Sequence, residues 1–290
     1  MLGHISMVFC GKWFFKNMGK AVAVANSGYT LAEAIMPTIF VALIGLLSWQ
    51  VSWYVSIIMS ILILASVRFL AKTERNKGTK PQKENQQVGM LKKSWKRSEM
   101  LRSWVFWAAV PGLMTSPMIT TTLFFHQVHL VEIKSWDLST YVLFIPAYSA
   151  ATLFSLYLIG YLVDKLSTKI ILPVFLFPLI SGLLLLSIAT SYLELLLIFI
   201  LLGLSAGAYI VVYGTFFPEF FGSLYLGSVR TVGVTIMVFS SAIGPVLSGH
   251  FIDLGYLIDH QFKFFAAFSV FASLLFLTIN LSVKLPENAK

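Results

Sequence analysis

The sequence predicts an all-α polytopic membrane bundle of about eight transmembrane helices. Three observations carry that expectation. The chain of 290 residues is 58% hydrophobic and only 11% charged, with a mean hydropathy of +0.84, whereas an ordinary soluble domain carries about 25% charged residues. Its apolar residues come in blocks of about 20 or more, the length that crosses a roughly 30 Å hydrocarbon layer as helix. Ten of the 21 Lys and Arg residues crowd between Lys72 and Arg102, in one linker between two such blocks. A net charge of +9 placed that way marks membrane topology, not nucleic-acid binding.

Charges and turn residues bound the blocks at 21–46, 52–71, 104–126, 138–162, 169–189, 192–217, 227–252 and 262–284. Each reads as helix, because lipid-exposed backbone satisfies its own hydrogen bonds and the blocks are too long and uniformly apolar for barrel strands. Counted on alternate sides, 19 of the 21 Lys and Arg fall on one face and only Lys134 and Lys263 on the other. The positive-inside rule then places both termini in the cytoplasm of a multi-pass cell-membrane protein.

The linker, 72–103, separates a region with two spans, 1–71, from one with six, 104–290. Its last part sets Leu91, Trp95, Met100 and Leu101 within reach of one helical face. An amphipathic helix on an anionic inner leaflet and a solvated basic linker both fit that pattern. Cys10 is the only cysteine, so neither an internal disulfide nor a cysteine-built zinc site is expected. The stretch from Met1 to Cys10 has no basic leader or small-residue cleavage site, and no cleavable signal is expected.

Between the fourth and fifth spans runs Gly160-Tyr-Leu-Val-Asp164-Lys165-Leu-Ser-Thr-Lys169. It resembles G-x-L-x-D-R-x-G-R-R, the signature loop of the major facilitator superfamily, with Ser167 and Thr168 in place of a Gly and a basic residue. Further segments are similar to the same family. Lys12-Trp13-Phe14, Gly19-Lys20-Ala21 and the run from Ser27-Gly28 to Pro37 look like the start of its fifth helix, and Ser48-Trp49-Gln50 stands where many members have G-W-R. Pro218-Glu219 with Gly227 to Arg230 looks like the loop after the tenth helix. Gly244-Pro245, Gly249 and Asp253 resemble the end of the eleventh, especially in the monocarboxylate and oxalate–formate-like branches.

The resemblance implies a partial major facilitator fold, family helices five to twelve, with the first three helices and most of the fourth absent. Met1 is then an internal start, a truncated gene or a fragment of a longer product. Absent amino-terminal helices or a partner chain would complete such a protein.

Substrate in such a transporter binds near the membrane midplane, so polar side chains aligned on one face of a span are the informative signal. Glu33 stands at the centre of the first span and shares a face with Asn26, Thr30 and Pro37. A carboxylate there costs about 2.5 to 3.5 kcal/mol on insertion scales unless it meets water or a partner, so it marks either a proton or solute pathway or a buried structural bond. Thr115, Thr122 and His126 stack on the third span beside Pro111 and Pro117; Tyr148, Thr152 and Ser155 form a weaker stripe on the fourth. On the sixth, Ser205, Tyr209 and Tyr213 share a face, with Gly203, Gly207 and Gly214 towards the opposite side. Small residues let helices approach closely, so the glycine face is expected to pack and the tyrosine face to look into a cavity or bond within the bundle.

By resemblance, Gly160, Asp164, Lys165 and Lys169 form a cytoplasmic gate motif that latches one side shut. Arg230 either joins that latch, caps a helix end or anchors the chain at the interface. His126 and His129 at i, i+3 are too weak a ligand set by themselves, so no metal site is expected, and no cofactor either. No G-x-x-x-x-G-K-S/T phosphate loop occurs, which argues against a primary pump. A membrane-embedded enzyme would need paired carboxylates or a nucleophile with its base within the bilayer, and apart from Glu33 the mid-membrane positions hold none.

The expected function is therefore secondary active transport of a small organic solute by alternating access, in a lipid bilayer. A proton-coupled monocarboxylate, carried as by a symporter, is one candidate. The alternative is a non-transporting remnant of such a transporter.

Overall fold

A computed structural model describes residues 2–14, 17–76 and 88–283, and the regular elements among them are all helices. Lys16, Lys284, Lys290 and linker residues 77–87, on which part of the charge count and the linker expectation rest, lie outside the described residues. In chain order the helices are α1 (Leu2–Trp13), α2 (Met18–Leu46), α3 (Trp49–Asn76), α4 (Arg97–Met100), α5 (Trp104–Phe125), α6 (Gln127–Lys134) and α7 (Leu138–Leu143). They continue as α8 (Ile145–Leu166), α9 (Thr168–Ile171), α10 (Phe177–Leu186), α11 (Tyr192–Phe221), α12 (Leu226–Asp253) and α13 (Ile258–Ser282).

Six stretches among the described residues are long and apolar enough to cross a membrane: Trp49–Phe69, Trp104–Phe125, Leu138–Leu166, Tyr192–Phe221, Leu226–Asp253 and Ile258–Ser282. Two of the eight expected spans are not among them. The first lies in α2, where the side chains at 37, 38, 41 and 42 are outside the described residues. The fifth is broken, with α9 and α10 separated by turns over 172–176. Pro173 and Pro178 cause the break, since neither ring can donate to the ladder. Val174 O, which Pro178 cannot bond, accepts instead from Phe177 N at 3.1 Å.

The chain forms two compact units, Met1–Thr30 with Asn85–Lys290, and Leu31–Glu84. The second comprises the rest of α2 and the long apolar α3. In the first unit, α11 packs on α8, and α5 on α12 and α13. Glycines set those distances. A methyl at Gly203 or Gly207 would collide with Tyr148 O or Thr152 O of α8, and one at Gly244 would sit 2.5 Å from Met118 O of α5. The glycine side of α11 thus packs against α8, as small residues in membrane helices do.

Proline recurs inside the spans, and at two positions a side chain takes over the carbonyl it frees. Pro117 in α5 has no N–H for Leu113 O, and Tyr209 OH from α11 donates to that oxygen at 3.0 Å. Pro218 in α11 likewise frees Gly214 O, which accepts from Arg230 Nη1 of α12 at 3.3 Å. In hydrocarbon each such replacement matters, because no water is present to satisfy the orphan.

The linker's last part does not form one amphipathic helix. Only Arg97–Met100 is helical, and the preceding residues run as a strap along the end of α11. Met90, Leu91 and Trp95 donate their backbone N–H groups to Glu219 O, Phe220 O and Phe221 O at 2.7, 3.3 and 2.9 Å. Carbonyls in the last turn of a helix have no partner within it, and the strap supplies one.

Candidate functional site

The end of α8 carries the signature loop, and the structure brings it against the start of α2. Gly19 and Gly160 meet backbone to backbone: a methyl at Gly160 would lie 2.8 Å from Gly19 O, and one at Gly19 would collide with Gly160 O. That approach places the Asp164 carboxylate at the amino end of α2. Its Oδ1 accepts from Gly19 N at 2.7 Å and its Oδ2 from Lys20 N at 3.1 Å. First-turn N–H groups have no partner within their own helix, and the positive end of the dipole favours an anion there. Asp164 therefore caps a helix about 145 residues away in the chain.

Two cations flank this cap. Lys165 Nζ lies 4.5 Å, and Lys20 Nζ 5.7 Å, from the centre of the Tyr161 ring, within the range of cation–π attraction. Lys169 is buried in α9. A second carboxylate repeats the pattern one layer on: Glu219 Oε2 accepts from Thr168 N, the first residue of α9, at 2.9 Å. Thr168 Oγ1 also donates to Thr215 Oγ1 at 2.6 Å. Glu219 thus links the signature loop, α11 and the linker strap, a role not assigned to it from the sequence. A carboxylate at the end of a long apolar span was the available signal.

Arg230 is not part of this cluster. It is 2% exposed, its guanidinium lies 5.0 Å from the centre of the Tyr213 ring, and it makes no ion pair among the described residues. It caps a carbonyl inside the bundle instead of anchoring at an interface.

The pathway candidates divide by whether their polar atoms are already engaged. Asn26 Nδ2 donates to Val22 O at 2.7 Å and Thr30 Oγ1 to Asn26 O at 3.3 Å. Thr115 and Thr122 donate to Pro111 O and Met118 O at 2.8 and 2.7 Å, and His126 Nε2 donates to Pro245 O at 3.0 Å. Tyr148 is buried, with its ring edge-on to Phe124 at 5.6 Å. Tyr209 is engaged with Leu113 O. Ser205 and Tyr213, on the same face of α11, keep buried hydroxyls without a hydrogen-bond partner among the described residues, as does Arg230 Nε. These three offer unused hydrogen-bonding capacity inside the bundle. Glu33 is half-buried and lies in the Leu31–Glu84 unit.

A cavity of about 1040 Å³ is an open groove between α1 and α2 lined by Phe9, Phe14, Lys20, Val24 and Asn26 among others. Its lining is mostly apolar; Asn26 is its one pathway candidate, and Lys20, whose backbone N–H also donates to the Asp164 carboxylate, is a further polar residue on it. No cluster of three or more metal-binding side chains occurs among the described residues.

The sequence model of the family described as Major Facilitator Superfamily matches residues 1–245. No curated protein matches the chain.

Proposed function

The chain belongs to the major facilitator superfamily, and from that premise we propose that it moves a small organic solute across a membrane by alternating access, with the Asp164 cap as the latch on one side. Members of this family are transporters, and six stretches among the described residues suit a bilayer. The single observation that carries the latch is the Asp164 carboxylate seated on Gly19 N and Lys20 N. A capping carboxylate contributes about 0.5 to 2 kcal/mol. When α2 and α8 part, water replaces the cap on both partners, so the closed and open arrangements differ by only a few kcal/mol. That balance suits a gate that a bound solute can tip. Gly160, Lys165 and Lys169 support the same loop, and the lysine-rich side faces the cytoplasm.

The solute meets Ser205, Tyr213 and Arg230, three of the buried groups with unused hydrogen-bonding capacity among the described residues. A buried guanidinium without a counter-ion among the described residues suits a carboxylate, which favours a monocarboxylate as cargo. Glu33 carries the coupled proton: ionised it is costly within a bilayer, so it crosses protonated.

Uptake into proteoliposomes over a panel of small organic solutes tests this reading. At least one solute, carboxylates first, is expected to accumulate, faster with an inward proton gradient. Glu33→Gln is expected to abolish the dependence on that gradient while leaving exchange of solute intact. Absence of solute-dependent flux across the panel contradicts transport; unchanged coupling in Glu33→Gln removes the proton role alone.

A further inference from the structure

We propose that the strap at 88–96, with the short α4 that leads on to α5, is a preorganised binding site for the headgroups of anionic phospholipids. Between 88 and 103 the strap, the short α4 that follows it and the residues leading into α5 carry Lys92, Lys93, Lys96, Arg97 and Arg102, all exposed, against a single carboxylate, Glu99. Glu99 is already occupied: its Oε1 accepts from Lys93 Nζ at 3.1 Å and its Oε2 from Lys96 N at 2.9 Å. The remaining cations have no acidic neighbour in the strap to neutralise them.

A loose basic linker would attract an anionic surface without discriminating within it. This strap is held. Three backbone hydrogen bonds fix it to the last carbonyls of α11, and Gly89 passes so close to Phe220 O that a methyl there would collide. Lys93 Nζ rests 4.4 Å from the centre of the Trp95 ring, and Trp95 packs edge-on against Phe221 at 5.9 Å. Fixed cations lose less freedom on meeting a phosphate than mobile ones do.

The strap also lies at headgroup depth. It passes through Ser103 directly into α5, whose first residue, Trp104, opens a membrane-crossing stretch. Leu101, Trp104, Trp107 and Tyr225 are exposed around it, and Trp107 Nε1 donates to Leu101 O at 2.8 Å. Exposed tryptophan and tyrosine at the end of a span are the residues that settle at the water–hydrocarbon boundary. Cations beside that belt stand level with lipid phosphates, where each contributes roughly fivefold in binding to an anionic surface. The occupant is therefore a lipid, whose acyl chains lie along the aromatic flank while its phosphate meets the strap.

The test needs neither transport nor a known orientation, so it stands or falls apart from the proposed function. The purified full chain in nonionic detergent is titrated with brominated phosphatidylglycerol and with brominated phosphatidylcholine, reading quenching of tryptophan fluorescence. Phosphatidylglycerol is expected to bind at least about tenfold more tightly, with the preference collapsing in about 0.5 M salt. Changing all five cations to Gln is expected to equalise the two lipids. A charge-keeping exchange of Lys for Arg and Arg for Lys at the same positions is expected to retain the preference, as is Lys263→Gln outside the strap. Equal quenching by both lipids in the unaltered chain overturns the proposal, as does a preference that survives the five Gln changes or is lost in the charge-keeping exchange. Competition by glycerol phosphate as effective as by phosphatidylglycerol would also overturn it, since free phosphate would then be the ligand.

Discussion

Tyr209 and Pro117 show how a single side chain can answer for a missing backbone donor. The phenol was legible in the sequence as one of an aligned set on α11, but its partner was not, because nothing in the pattern says that α5 runs alongside. Leaving a buried acceptor unpaired costs about 1–3 kcal/mol. Tyr209→Phe, which keeps the ring and removes the donor to Leu113 O, is expected to lower stability by about that amount. A thermal melt in detergent reads it, and an unchanged melting temperature would mean the freed carbonyl needs no partner. Glu99, outside the spans, gives a pH prediction. Its carboxyl is held below the ordinary carboxylate range, first by the Lys96 backbone N–H and next by the Lys93 ammonium. A lowered value in the folded state means the contribution is present above the ordinary range and lost as pH falls through the lowered one. Hydrogen exchange at the Arg97–Met100 turn should therefore quicken on acidification relative to the rest of the chain, and Glu99→Gln should remove that acid dependence.

Among the elements, length and apolarity located most of the helices, and the exceptions have physical causes. The expected fifth span has the composition of a continuous helix, yet Pro173 and Pro178 split it into α9 and α10; the prolines were visible, but apolar pattern alone does not weigh a broken ladder. The strap at 88–96 was open between amphipathic helix and solvated linker. Its path is decided by the orphan carbonyls at the end of α11, a tertiary demand invisible in local sequence. The α11–α12 pair yields a coupling prediction. Pro218→Ala restores an N–H for Gly214 O, the oxygen that Arg230 now serves. Arg230→Met alone leaves that oxygen unpaired, whereas in the Pro218→Ala background the helix serves it internally. The two changes should be non-additive in a double-mutant cycle of melts, by at least about 0.5 kcal/mol. Additive effects would mean that Arg230 and Pro218 do not act on the same carbonyl.

For the whole molecule, the all-α membrane bundle was legible from apolar block lengths and lysine placement, and the family from the loop around Asp164. What the loop touches was not legible: Gly19 and Asp164 stand 145 positions apart, and only the fold brings the start of α2 to the end of α8. Sequence likewise left Arg230 open between the latch, a helix-end cap and an interfacial anchor, and packing sets it on the Gly214 carbonyl in the bundle. The central claim is that the Asp164 cap is one side's latch, closed here and broken in another state. Spin labels at Asn17→Cys and Ser167→Cys, in a Cys10→Ser background, place one probe on each side of that contact. Pulsed dipolar measurements in lipid nanodiscs are predicted to show a short and a long population, with Asp164→Asn shifting weight to the long one. A single short distance, the same with Asp164 and with Asn in its place, would contradict the account.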